Sequence, residues 1–112
     1  MAGRHWTAEY EYFAHARLAR KAGLEDAIIG AIAARKRPAF AQAHDEIVYD
    51  VCHELFETHR LSDGTYRRAV EAFGLPSVVE LVATIGYYSL VSLTLNAFEV
   101  PLPPGERSPF PD

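Results

Sequence analysis

Apolar positions along this chain recur at helical spacing, and no stretch of note alternates with the period of a strand. Thr7 suits an N-cap and Gly23 the position just past a helix end, so a first helix is predicted between them. Leu24, Ala27, Ile28 and Ala31 carry the pattern into a second helix, about Glu25 to Ala34. Arg37-Pro38 is expected to end it, because the residue before proline avoids helical geometry. The third helix has the plainest stripe, with Ile47, Val48, Val51, Cys52, Leu55 and Phe56 on one face. Glu46, Asp50, His53, Glu54 and Glu57 occupy the other. Ser62 predicts the N-cap of a fourth helix, with Tyr66, Ala69, Val70 and Phe73 inward and Gly74 closing it. Pro76 suits the start of a fifth, about Ser77 to Phe98, which is apolar almost all round.

That fifth helix raises the question of a membrane. Val78 to Phe98 runs 21 residues with a single charge, Glu80, which is long enough to span a bilayer. Thr84, Ser89, Ser92, Thr94 and Asn96 interrupt it, and no basic cluster flanks it. Burial in protein on several sides is therefore the expectation, with no membrane partner. Ala83, Gly86 and Ala97 leave room for other backbones, and five helices offer few layers to cover this one, so a homo-oligomer is expected. The run from Val100 is too rich in proline for a helix and should be extended. The predicted class is all-α in one domain, residues 1–112, with a helical core over about 6–98 and an extended tail over 99–112.

Composition changes this picture little. The chain has 112 residues, 49% hydrophobic and 23% charged, with a formal net charge of −4, which is ordinary for a globular protein. Arg35-Lys36-Arg37, the densest basic run, reads as a solvated helix end, so no nucleic-acid partner is expected. A single cysteine, Cys52, excludes an intrachain disulfide and a CxxC site, and fits a reducing compartment. The opening Met1-Ala-Gly-Arg-His lacks the apolar stretch of a secretory leader, and a cytoplasmic location is expected. Cys52 lies on the apolar stripe, where free cysteine behaves as a small hydrophobe. His53 and Glu57, with His59 nearby, lack a third ligand at a recognised metal-site spacing, so neither a metal nor another cofactor is expected.

The first helix holds the one pattern suited to chemistry. At about 100° per residue, Glu9, Tyr10, Phe13, Arg17, Arg20 and Lys21 form an outward arc. Ala8, Glu11, Tyr12, Ala14, His15, Leu18, Ala19 and Ala22 form a second, small and apolar except for Glu11 and His15. These two lie one turn apart, within side-chain reach. A carboxylate and an imidazole on an apolar arc are costly to bury unless they satisfy each other or act on something. Burial raises the pKa of such a carboxyl and lowers that of such an imidazole, while their contact opposes both shifts. A proton-transfer pair and a structural hydrogen bond both fit this pattern.

The run Glu11-Tyr-Phe-Ala-His15-Ala-Arg-Leu-Ala-Arg-Lys-Ala-Gly23-Leu resembles the active-site helix of the carboxymuconolactone decarboxylase-like family, which includes alkylhydroperoxidase D-type proteins. His59-Arg-Leu-Ser-Asp, and Val79 to Tyr88 leading into Leu95-Asn-Ala-Phe, are also similar to that family, and the resemblance covers about Trp6 to Gly105. It implies an alkylhydroperoxidase D-like helical bundle. It places His15 at the family's active-site histidine, and Ala8 and Glu11 at the two cysteine positions of the redox members. Thiolate attack and disulfide closure then lack their reagents. Longer relatives carry an upstream helical segment that supplies a glutamate to the proton relay, and no residue ahead of this helix is expected to take that role. Glu11 or a neighbouring subunit are the substitutes, or the site is inactive. Three functional classes follow. The first is a cofactor-free decarboxylase or lyase acting on a small organic acid or lactone, with His15 as general acid/base and Glu11 orienting it. The second is a non-catalytic oligomeric protein that binds a small molecule. The third, a peroxidase-like antioxidant, is disfavoured by the missing cysteines.

Overall fold

A computed structural model describes residues 1–112 and contains six helices and no strand. They are α1 (Ala2–His5), α2 (Glu9–Lys21), α3 (Asp26–Ala33), α4 (Ala43–Glu57), α5 (Asp63–Phe73) and α6 (Leu75–Ala97). The all-α expectation holds, with one short helix, α1, that the pattern did not predict.

Helix ends follow local chemistry. After α2, Gly23 adopts φ +95°, its N–H bonding the Arg20 carbonyl while the N–H of Leu24 reaches Ala19. This is a Schellman cap, and a left-handed residue there favours glycine. The same two bonds close α3, from Arg35 to Ile32 and from Lys36 to Ala31, with Arg35 left-handed at φ 56°. α3 therefore ends at Ala33, four residues before Arg37 and one short of the predicted end near Ala34. The N-terminus of α2 is capped by Ala8, not Thr7, which itself sits at φ 53° in the link from α1. Ser62 caps α5 as expected, its hydroxyl accepting from the Thr65 N–H at 3.2 Å.

The chain forms two compact units, residues 1–39 with 88–112, and residues 40–87. In the first, Tyr12 of α2, Ile29 and Ala33 of α3 and Phe110 of the tail make the core, with Ala16, Ala19, Leu24 and Ile32 packed against them. The run beyond α6 forms no helix or strand, and it brings Phe110 back onto the start of the chain. In the second, Ile47 and Val51 of α4 meet Ala69 of α5 and Val78 of α6.

Several side chains face the other way from their prediction. Leu18 is 58% exposed, and Tyr66 and Val48 are exposed too, so the buried stripes of α2, α4 and α5 are narrower than their apolar arcs. α6 departs most. Only 11% of its most apolar stretch is buried, against the expectation of burial on several sides. Val78, Leu81, Ile85, Tyr88, Ser92 and Leu95 form a seam at spacings of three and four, wholly or partly buried. Such a seam covers one side of a helix. Leu75, Val79, Val82, Tyr87, Leu90 and Leu93 lie outside it and stay exposed.

Candidate active site

Glu11 and His15 stand on α2, one turn apart, and the fold brings them together. His15 Nε2 lies 3.2 Å from Glu11 Oε1. Their surroundings differ: the Glu11 side chain is 8% exposed and that of His15 43%. One end of the pair is shut from water and the other is open to it. Burial pushes the Glu11 carboxyl above its ordinary value, and the neighbouring His15 opposes that rise. In a poorly solvated place the charged form of a carboxyl is the one penalised.

The cover over Glu11 comes from α1. A Cβ built on Gly3 would meet the Tyr12 backbone nitrogen at 3.0 Å and Glu11 Cγ at 3.2 Å, tighter than side chains ordinarily pack, so glycine favours this close approach of the α1 backbone. The N–H of Ala8 bonds the Gly3 carbonyl at 2.7 Å, closing the corner between α1 and α2. Beside Glu11, the phenol of Tyr12 donates to the Ile29 carbonyl and ties α2 to α3; burial drives that phenol up to about 12.

The open end is framed by α6. Tyr88 packs edge-on against the His15 ring, centroids 4.6 Å apart. Ser92, one turn on, is fully buried, and Asn96, a further turn on, donates to the Trp6 carbonyl at 2.7 Å. The Ser92 hydroxyl and the Trp6 indole N–H are both buried without a hydrogen-bond partner. The sequence reading missed Tyr88 as a site residue. Its signal was a line of polar-capable residues, Tyr88, Ser92 and Asn96, four apart in an otherwise apolar helix.

The other candidate chemistry is inert or structural. Cys52 is buried and free, and burial pushes its thiol up to about 11, so thiolate is scarce near neutrality. His53 is exposed and stacks on Tyr49 at 5.7 Å, and no group of three His, Cys, Asp or Glu converges anywhere. Set against models of protein families, curated proteins and solved structures, the chain matches none.

Proposed function

We propose that this protein is a cofactor-free acid–base enzyme of the carboxymuconolactone decarboxylase-like kind, acting on a small organic acid or lactone. The observation that carries this reading is the asymmetry of one pair: Glu11 sealed against water, His15 touching it and half open. With Nε2 engaged by Glu11, Nδ1 is the imidazole nitrogen that meets substrate. Glu11 fixes the ring and stabilises the imidazolium when it forms, which is the division of labour between an orienting acid and a general base. For a β-keto acid, the carboxylate leaves as CO2 and the electron pair of the broken C–C bond stays as an enolate. The imidazole first takes the proton of the carboxyl group, and the imidazolium so formed gives that same proton to the enolate carbon, which restores the neutral imidazole. The unpartnered Ser92 hydroxyl and Trp6 N–H suit an oxygen-rich ligand, since buried polar groups seek partners.

His15→Gln tests this reading. Gln keeps a hydrogen-bonding group and loses useful proton transfer. Turnover of small lactones or β-keto acids should fall by about 10²- to 10⁴-fold while the fold survives. Neither protein turning over any such substrate, with the variant melting several degrees lower, would leave a binding or structural role for the pair.

The working form, in the same proposal, is a homo-oligomer joined along the bare side of α6. Leu75, Val79, Val82, Leu90 and Leu93 support it, being more apolar than a free surface sustains. The exposed charge of Glu80 on this helix argues for protein over lipid as the cover. An obligate interface of this kind buries more than about 2,000 Å² in total. Sedimentation should show a defined oligomer at micromolar concentration, and the protein should not float with vesicles. A stable monomer, or flotation, would remove the oligomer.

A further inference from the structure

The tail touches the start of the chain at a place the proposed chemistry leaves unused. Arg4, the third residue of α1, is almost fully buried, which is rare for a cation without a partner. Its guanidinium carbon sits 4.3 Å over the ring of Phe110, and Nη2 donates to Asp112 Oδ1 at 2.5 Å. The Arg4 Nε has no hydrogen-bond partner, so the ring and carboxylate of the tail carry the weight of compensating this charge. Phe110 is itself buried, edge-on to Tyr12 with centroids 5.1 Å apart. The Arg4 bond holds the Asp112 carboxyl below its usual range.

A helix of four residues cannot hold itself together in water, so α1 depends on what it docks against. Beneath it lie Glu11 and Tyr12, close enough that a Cβ on Gly3 would fit only if they gave way by a few tenths of an ångström. Whatever seats α1 therefore decides whether Glu11 is covered. Seating α1 buries Arg4, and the tail supplies the groups that make that burial tolerable. Docking of the tail and closure over Glu11 are linked, each favouring the other.

We infer that Phe110-Pro111-Asp112 is a positioning strap: docked on Arg4 and Tyr12, it holds α1 over Glu11 and keeps water from the closed end of the Glu11–His15 pair. Its bearing on catalysis rests on the proposed function, but its existence does not, and the test needs no substrate. Phe110→Ala and Asp112→Asn are made in the full chain. Two readouts follow: amide exchange, and the titration of the Glu11 carboxyl by carbon NMR. The charged groups acting on Glu11 are His15, which neither variant touches, and the Met1 amino group, which leaves with α1 and so offsets part of the fall.

In Phe110→Ala, the amides of His5, Trp6 and Ala8, which bond Met1, Ala2 and Gly3, should lose about tenfold in protection. Glu11 should then titrate closer to its ordinary 4.5. The Tyr66 amide, bonded to Ser62 in the other unit, should not change. Asp112→Asn should act in the same direction and less strongly. Unchanged α1 amides and an unmoved Glu11, with the Phe110 amide exchanging freely, would overturn the strap. Should Phe110→Ala unfold throughout, Asp112→Asn decides, with selective loss at α1 supporting the strap and no loss there overturning it. Selective loss at α1 in a protein that turns nothing over would keep the strap and sink the proposed enzyme. Turnover without any response of α1 would do the reverse.

Discussion

Two glutamates, each on a helix and each facing polar neighbours, meet opposite fates in this molecule. At the corner between α4 and α5, Glu54 accepts from the Ser62 N–H at 2.8 Å, the Ser62 hydroxyl at 3.0 Å and the Thr65 hydroxyl at 2.6 Å. Those bonds hold its carboxyl below the ordinary range, the Thr65 bond foremost. At the corner between α1 and α2, Glu11 is buried beneath a glycine, has one imidazole against it, and is pushed the other way. Saturated with donors and half in water, Glu54 is a fastener for the start of α5. Glu11 has fewer donors and less water, so its charged form is penalised and a neighbouring charge can shift it. A carboxyl's worth to chemistry is set by the donors and water it lacks.

Removing each carboxylate should break the comparison most visibly in turnover. Glu11→Gln is expected to lower turnover of the proposed substrates by about 10²- to 10⁴-fold, as the proton relay loses its acidic member. Glu54→Gln should leave it within about twofold, since surface and capping changes act through stability. Equal losses in both would mean that Glu11 is a fastener too.

Next in size is the roof over Glu11. Gly3→Ala presses a methyl group on the Tyr12 backbone and the Glu11 side chain, which must give by a few tenths of an ångström, and overpacking of this sort costs about 1–3 kcal/mol. The helix propensity gained by alanine offsets roughly 1 kcal/mol of that. A net loss of about 1 kcal/mol is expected in denaturant melts, with faster exchange of the Ala8 amide. Stability at or above wild type would show that α1 does not press on Glu11. A comparable loss of about 1 kcal/mol is expected for Ser62→Ala, which removes the cap of α5, but without any shift in Glu11 titration.

The smallest effect is in the pH dependence of stability, and there the two glutamates carry opposite signs. A carboxyl raised on folding favours the native state below its unfolded pKa, and that contribution is lost as pH climbs through the raised value. A carboxyl lowered on folding contributes above its unfolded pKa and loses it as pH falls. Glu11→Gln should therefore flatten the decline of stability from about pH 4.5 upward, and Glu54→Gln the decline from about 4.5 downward. Chemical melts across that range check both signs.

Much of this was legible in the sequence, for physical reasons. Glu11 and His15 are four residues apart on one helix, so their meeting is local geometry. Ser62 and Gly74 announce the ends of α5 through side-chain chemistry and a positive φ of 82°. Contacts between distant residues were not legible. Tyr88 on His15, Asn96 on Trp6, and Phe110 and Asp112 on Arg4 join segments more than seventy residues apart, where periodicity carries no information. α1 was missed because four residues make no stripe, and the exposure of α6 because its apolar composition hides a narrow seam. The burial of Arg4, which those distant groups compensate, was equally invisible, since four residues show no face.

Carbon-detected titration of the side-chain carboxyls, in wild type and in His15→Gln, addresses the Glu11–His15 coupling directly, with Glu54 as a reference in the same sample. Glu11 should titrate above 4.5 and Glu54 below it, and loss of the imidazole should drive Glu11 higher while leaving Glu54 in place. A Glu11 that titrates at or below 4.5 in wild type, or that ignores the loss of His15, would contradict a closed and coupled pair on α2.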